Sequence, residues 1–269
     1  MTTAHRRSSL QAAAAAATAP KSASRSLGSR TGPGYEPPEH RYTTTLRDLL
    51  EGVRPLPTPG DSRTSERPLS PETELYYSGD LGLVRRPCVA IVGTRAVTHE
   101  GAARARRLAR ELVKAGVVVV SGLAKGVDTE ALTAAIEAGG QVVAVIGTPL
   151  DQAYPAENKR LQEAIYREHL LVSQFAWGSR THQGNFPARN RTMAAISDAT
   201  VIIEAGETSG TLHQAVACNR IGRWLFIARS VVENPNLTWP ASFLGQPRTR
   251  VLADTEDVIG ALREAGAWG

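Results

Sequence analysis

The chain has 269 residues, a net charge of +5 and 42% hydrophobic residues, enough for one large α/β domain or two small ones. No apolar run approaches the roughly 18 residues of a membrane helix, and Cys88 and Cys218 stand far apart with no CxxC or Cys/His cluster, which argues against a disulfide framework or a zinc site. The charge does not in itself indicate nucleic acid: residues 1–35 hold Arg6, Arg7, Lys21, Arg25 and Arg30 with no acid, so 36–269 balances at 26 basic against 26 acidic side chains.

In chain order, residues 1–40 are rich in Ala, Ser, Pro and Gly, with an alanine run from Ala12 to Ala17, and are expected to be a disordered tail. Their acid-free, Arg- and Ser-rich character also fits a transit peptide, or a tail from an upstream start. No apolar core follows the basic residues as in a secretory leader, so a cytoplasmic protein is expected. Residues 41–51 pattern one short helix on Leu46, Leu49 and Leu50. The stretch 52–72, with Pro55, Pro57, Pro59, Pro68 and Pro71, reads as a linker. The folded domain is expected over 74–269.

From there, short β-branched runs alternate with helical patterns. Strands are predicted at Cys88–Val92, Val117–Val120, Gln141–Ile146, Leu170–Ser173, Thr200–Glu204, Trp224–Ile227 and Arg250–Leu252. Helices are predicted at about 101–115, 128–138, 156–168, 188–197, 210–221 and Thr255–Glu264, the last capped by Asp254. Near-continuous apolar runs suit strands buried on both faces, and strand–helix alternation means βαβ units. The fold expected is α/β: a doubly wound, mostly parallel, extended Rossmann-like sheet.

Ligands of such sheets collect beyond the carboxyl ends of the strands. The loops there are rich in small residues and hydroxyls: Gly93-Thr94-Arg95, Ser121-Gly122 through Gly126, and Ser209-Gly210-Thr211. Thr98 to Gly101 and Gly147-Thr148 add to them. Such loops let backbone N–H groups reach a phosphate, and Arg95 and Lys125 supply cations. Nine basic residues lie between Arg85 and Lys125 against the two acids Glu100 and Glu111, so a DNA surface would be a local cluster. Pro187 suits a helix start, which would put Arg189, Asn190 and Arg191 in a first turn, against the helix dipole. These arginines either pair with buried acids or are held for an external anion, and the anion is the favoured reading. There is no Walker lysine, no GxGxxG after a strand and no metal-ligand spacing of histidines. No catalytic residue is assigned, and binding rather than catalysis is expected.

The ordered set Leu75-Tyr76-Tyr77-Ser78-Gly79-Asp80, Val89 to Arg95 and Ser121 to Asp128 resembles the DprA/Smf DNA-processing family. The likeness continues through Ala144 to Thr148, Tyr154-Pro155-Ala156-Glu157-Asn158, Phe186 to Arg191, and Glu204-Ala205 with Ser209-Gly210-Thr211-Leu212, spanning about 74–245. It implies a protein that binds single-stranded DNA, helps load the RecA recombinase during natural transformation, forms a homodimer and uses no cofactor. The family's basic pocket falls here on Arg95, Lys125, Arg189 and Arg191, with Asn190 and Phe186 beside them. Tyr154 or Phe186 would stack on a base. Gln174 stands where the family has Glu, His213-Gln214-Ala215 replaces a Thr-Ala run, and the chain ends without the winged helix many members carry, which reads as a divergent branch.

Two other readings use the same loops. One is a sensor of a nucleotide-derived ligand. The other is an enzyme similar to nucleoside-monophosphate phosphoribohydrolases, which is disfavoured because Gln214 stands where a carboxylate would do acid/base work.

Overall fold

The computed structural model describes residues 34–57 and 69–267. Its sheet runs in the order β1-β2-β6-β5-β4-β3-β7-β8-β9. The parallel part comprises β3 (Cys88–Gly93), β4 (Val118–Ser121), β5 (Val142–Ile146), β6 (Leu170–Ser173), β7 (Ala199–Glu204), β8 (Trp224–Ala228) and β9 (Thr249–Leu252). Two antiparallel strands, β1 (Tyr42–Thr45) and β2 (Glu74–Gly79), extend it beyond β6. The helices are α1 (Leu46–Leu50), α2 (His99–Lys114), α3 (Val127–Glu137), α4 (Lys159–Glu168), α5 (Asn185–Ile196), α6 (Thr211–Arg220), α7 (Arg229–Val232), α8 (Trp239–Leu244) and α9 (Thr255–Glu264).

The apolar strands are buried on both sides because alternate residues serve different layers. In β3, Val89 and Ile91 pack with Leu108 and Leu112 of α2 and Leu132 of α3. Cys88, Ala90 and Val92 face the other way, against Met193 of α5 and Ala215 of α6. Each fully buried Val, Leu or Ile contributes about 1.5–3 kcal/mol, so both layers are needed. This is the doubly wound sheet expected. All seven predicted strands are present, and Asp254 caps α9 in a capping box. Both thiols are buried, and burial pushes Cys88 and Cys218 up to about 12, which leaves them inert.

The N-terminal half of the expected division needs correction. The sheet begins at Tyr42 rather than near residue 74, because β1 pairs with β2 and β2 with β6. The helix expected over 41–51 is confined to Leu46–Leu50. Residues 34–40, expected in the tail, are packed: Tyr35 is 5% exposed, its hydroxyl donates to Leu150 O at 2.9 Å, and Tyr166 Oη donates to Glu36 O at 2.7 Å. The disorder expected for 1–33 lies outside the described residues. So does 58–68 of the expected linker, but its start is docked, with Arg54 buried against Asp198 at 2.6 Å.

His169 ends α4 in a buried position, its Nδ1 2.8 Å from Gln141 Oε1 and its Nε2 without a partner among the described residues. Burial lowers its pKa from 6.5. A depressed histidine contributes stability that is complete above its unfolded value and is lost as pH falls through the folded one. Urea unfolding at about pH 7 and about pH 5 should therefore show a smaller acid loss in His169→Gln than in the parent. Equal losses would exclude His169 as a source.

Candidate nucleic-acid interface

From β3 the chain builds outward through β4, β5 and β6, then returns to place β7 on the other side of β3. The carboxyl ends of β3 and β7 thus flank the switch point, where an open sheet leaves a crevice. A cavity of about 430 Å³ opens there, lined by Gly93, Thr94, Arg95, Ser209, Gly210 and Thr211 from two of the loops expected to converge, and by Phe186, Arg189 and Asn190 of α5. Thr208, His213 and Gln214 also line it.

Two helices aim their N-termini at this cavity. The caps of α5 and α6 are Gly184 and Gly210, and neither makes a side-chain cap bond. Their first N–H groups are turned back onto the entering chain, Asn185 N onto His182 O at 3.0 Å, Phe186 N onto Gln183 O at 3.3 Å and Leu212 N onto Ser209 O at 3.1 Å, so what each end offers the cavity is its dipole. Asn190 Nδ2 donates to Gly210 O at 3.3 Å and ties the two helices together. Thr211 N is turned back onto Ser209 Oγ at 3.2 Å.

Arg95 is exposed and has no ion-pair partner among the described residues. Its guanidinium lies 5.6 Å from the centre of the Phe186 ring. Phe186 in turn meets Tyr154 at 5.4 Å between ring centres. Gly147 makes room for this: a Cβ there would stand 2.7 Å from Phe186 Cδ1.

Arg189 has a different role from the one expected. The helix starts at Asn185, so Arg189 falls in the second turn, 5% exposed, on the cavity floor. Its Nη1 donates to Gly122 O and, at 2.8 Å, to Val145 O, the ends of two neighbouring strands. Burial lowers its pKa and raises that of buried Asp128, each charge partly offsetting the other's desolvation. The cation is thus engaged internally.

The loop after β4 is also spent inside the protein. Ser121 Oγ donates to Ile91 O at 2.7 Å, and the N–H groups of Gly122 and Ala124 both donate to Asp128 Oδ2, at 3.1 and 3.3 Å. Gly122 is a glycine because a Cβ would collide with the Arg189 guanidinium, and Gly126, at φ +77°, because a Cβ would meet Thr94 O. Ser121, Gly122 and Gly126 therefore shape the crevice without lining it. The start of α2 is likewise occupied, since Glu204 accepts from Thr98 N at 3.3 Å and Thr98 Oγ1 at 2.7 Å.

Lys125 is exposed, outside the lining, and paired with Glu157. Arg191 is half-buried and outside the lining as well. Of the nine basic residues between Arg85 and Lys125, four meet acids within the described residues, Arg104 and Lys125 among them. Arg106 meets Glu130 at 3.2 Å and Glu137 at 2.5 Å, and Arg107 meets Glu111 at 2.8 Å. The local cluster expected there thus narrows, at the crevice, to Arg95. Asp128, missed as a site residue, had only a weak sequence signal, an acid in the first turn of a helix directly after Gly-Val; it accepts not from that turn but from the loop before it.

The sequence model of a family described as DNA recombination-mediator protein A matches residues 62–262. Protein Smf of Synechocystis sp. is 42% identical over 161 residues, 58% of this chain and 40% of that protein. DNA processing protein DprA of Streptococcus pneumoniae is 43% identical over 186 residues, 69% of this chain and 65% of that one. The chain thus spans 40% and 65% of the lengths of these relatives. The X-ray structure of the S. pneumoniae protein superposes with a TM-score of 0.64 at 35% identity, covering 71% of this chain and 68% of that one. A structure of DNA processing protein A from Helicobacter pylori, described for its single-stranded DNA binding mode, gives 0.64 at 28% identity over 83% of this chain and 96% of that one. On the sheet order, the motifs and these matches, the chain belongs to the DNA recombination-mediator protein A family.

Proposed function

We propose that the crevice between β3 and β7 holds single-stranded DNA and that the protein acts by binding rather than by catalysis. The observation that carries this reading is Arg95, an exposed cation without an acid partner among the described residues, set over an aromatic pair where two helix N-termini meet. Phosphates would lie against Arg95 and the Ser209–Thr211 turn, and a base against Phe186 or Tyr154. The groups argued to grip the strand, Arg95, the Ser209–Thr211 turn and the two rings, address phosphates and base faces rather than base edges, so the grip would be largely indifferent to sequence. Lys125 sits in an exposed pair that water already screens, leaving it available to a phosphate. The family description, a recombination mediator, supports a role in recombination; we infer further that the protein hands the strand to a recombinase of the RecA type and works as a cytoplasmic homodimer in DNA uptake or recombination.

The test is a titration with oligo-dT and with duplex DNA at several salt concentrations, using the parent and Arg95→Ala. Expected are a preference for single strands, affinity falling as salt rises, and about a tenfold loss in the variant at unchanged melting temperature. Salt-insensitive binding, or a variant indistinguishable from the parent, would sink the reading. Tight binding of a mononucleotide without DNA affinity would favour a nucleotide sensor, whose ligand a cavity of this size also fits.

A further inference from the structure

Beside the crevice lies a second, larger cavity of about 920 Å³, lined by Thr148, Gln152, Tyr154, Arg180 and His182 among others. The two compartments share a wall, the Phe186–Tyr154 pair, with Phe186 lining the first and Tyr154 the second. Tyr154 is the large apolar side chain that folding leaves in water among the described residues, 49% exposed. A ring left exposed between two cavities contributes little to the core and suits stacking on a ligand.

The far side of this second cavity presents a cation in a fixed position. Gln152 Nε2 donates to Ser179 O at 3.0 Å, and Thr181 Oγ1 donates to Gln152 Oε1 at 2.8 Å. One amide thus pins the residues on both sides of Arg180, and Gly178 N adds a bond to Asp151 Oδ1 at 3.2 Å. Arg180 itself lines the cavity, is exposed and makes no side-chain hydrogen bond or ion pair among the described residues. His182, also exposed, stands on the same rim. The acid of this cavity, Asp151, is fully buried beneath the loop that it holds. A backbone braced on both sides of an unpaired arginine is costly in fixed dihedrals unless the arginine meets something.

We propose that this cavity is a second subsite for the same strand, in which a base stacks on the exposed side of Tyr154 and Arg180 holds the adjoining phosphodiester. This rests on the crevice binding single-stranded DNA. The aromatic pair then separates one nucleotide from the next, and the strand runs from the Arg95 compartment over Tyr154 to Arg180. The chemistry required, alternating stacked rings and anions, is that of a polynucleotide. A lone phosphate or a free nucleotide would fill one compartment and leave the other empty.

The experiment is an anisotropy series with oligo-dT from about 4 to about 16 nucleotides, on the parent, Arg180→Ala and Arg180→Glu. For the parent, affinity is expected to climb with length to a plateau. In Arg180→Ala the shortest bound oligonucleotide should keep parental affinity, the plateau should fall about fivefold, and the salt slope should lessen by about 0.7, the loss of one phosphate contact on a single strand. Arg180→Glu should remove the climb. An unchanged plateau in Arg180→Glu, or an equal loss at every length, overturns the subsite while leaving the crevice reading intact. A parent that binds no oligonucleotide of any length overturns both.

Discussion

Arg189→Ala is expected to lower the unfolding free energy by about 3–5 kcal/mol, the range for removing one member of a buried charged arrangement. The guanidinium closes the ends of β4 and β5 by donating to Gly122 O and Val145 O. Its loss leaves Val145 O facing a hole and Asp128 as a buried carboxylate without the nearby positive charge that offsets its desolvation. At 2–4 °C per kcal/mol for a domain of this size, the melting temperature should fall by roughly 6–20 °C. Differential scanning calorimetry beside the Arg95→Ala binding titration separates the two arginines. Arg95→Ala loses DNA at parental stability, whereas Arg189→Ala loses the fold first. A parental melting temperature for Arg189→Ala would return it to the role of an external anion ligand.

The second large loss is expected at Arg54. Its Nε and Nη2 clasp Asp198 at 2.8 and 2.6 Å, while Nη1 donates to Val84 O and Nη2 to Arg86 O at 2.7 Å. Asp198 Oδ2 also accepts Cys88 N at 2.8 Å, so the pair joins the segment before β2 to the starts of β3 and β7. The side chain of Arg54 is 3% exposed, so water cannot replace these partners. Arg54→Ala should cost about 3–5 kcal/mol, and Asp198→Ala a comparable amount. The double variant should lose clearly less than the two singles together, since the second change removes the charge stranded by the first. Strict additivity in urea unfolding would mean that the contact is incidental.

These two arginines also mark where sequence stops being informative. The central parallel strands were legible because burial on both faces writes itself as near-continuous apolar runs such as Val142–Ile146, whereas β9, TRVL and only half-buried, was placed by its position before a capped helix. β1 was not, because an edge strand of sequence YTTT, half in water, carries no such signature. β2 was quoted as a motif but lacks a clean period, with Leu75 and Ser78 as its buried positions. Arg54 sits in a proline-rich stretch that reads as a linker, and its partner is 144 positions away. Arg189 and Arg95 look alike as cations near helix starts and strand ends. What separates them is the set of carbonyls around Arg189, and backbone acceptors have no letter in the sequence. The convergence of Gly93–Arg95 with Ser209–Thr211 was legible, because topology alone brings the carboxyl ends of β3 and β7 together. That the loop after β4 turns its donors onto Asp128 followed only from the coordinates.

Phe186 lies flush on the Gly147 backbone, with Arg95 over its ring and Tyr154 at its edge, before any strand arrives. Its rotamer is therefore chosen during folding, and little side-chain freedom remains to be surrendered on contact. A platform of this kind captures at the pace of encounter, which the surrounding field of arginine and helix ends sets. On the proposed binding reading, how long a strand stays would be governed by how well each base covers the ring, so purines and pyrimidines would differ in residence time rather than in capture. On that reading the glycine at 147, chemically silent, would work as a timing element.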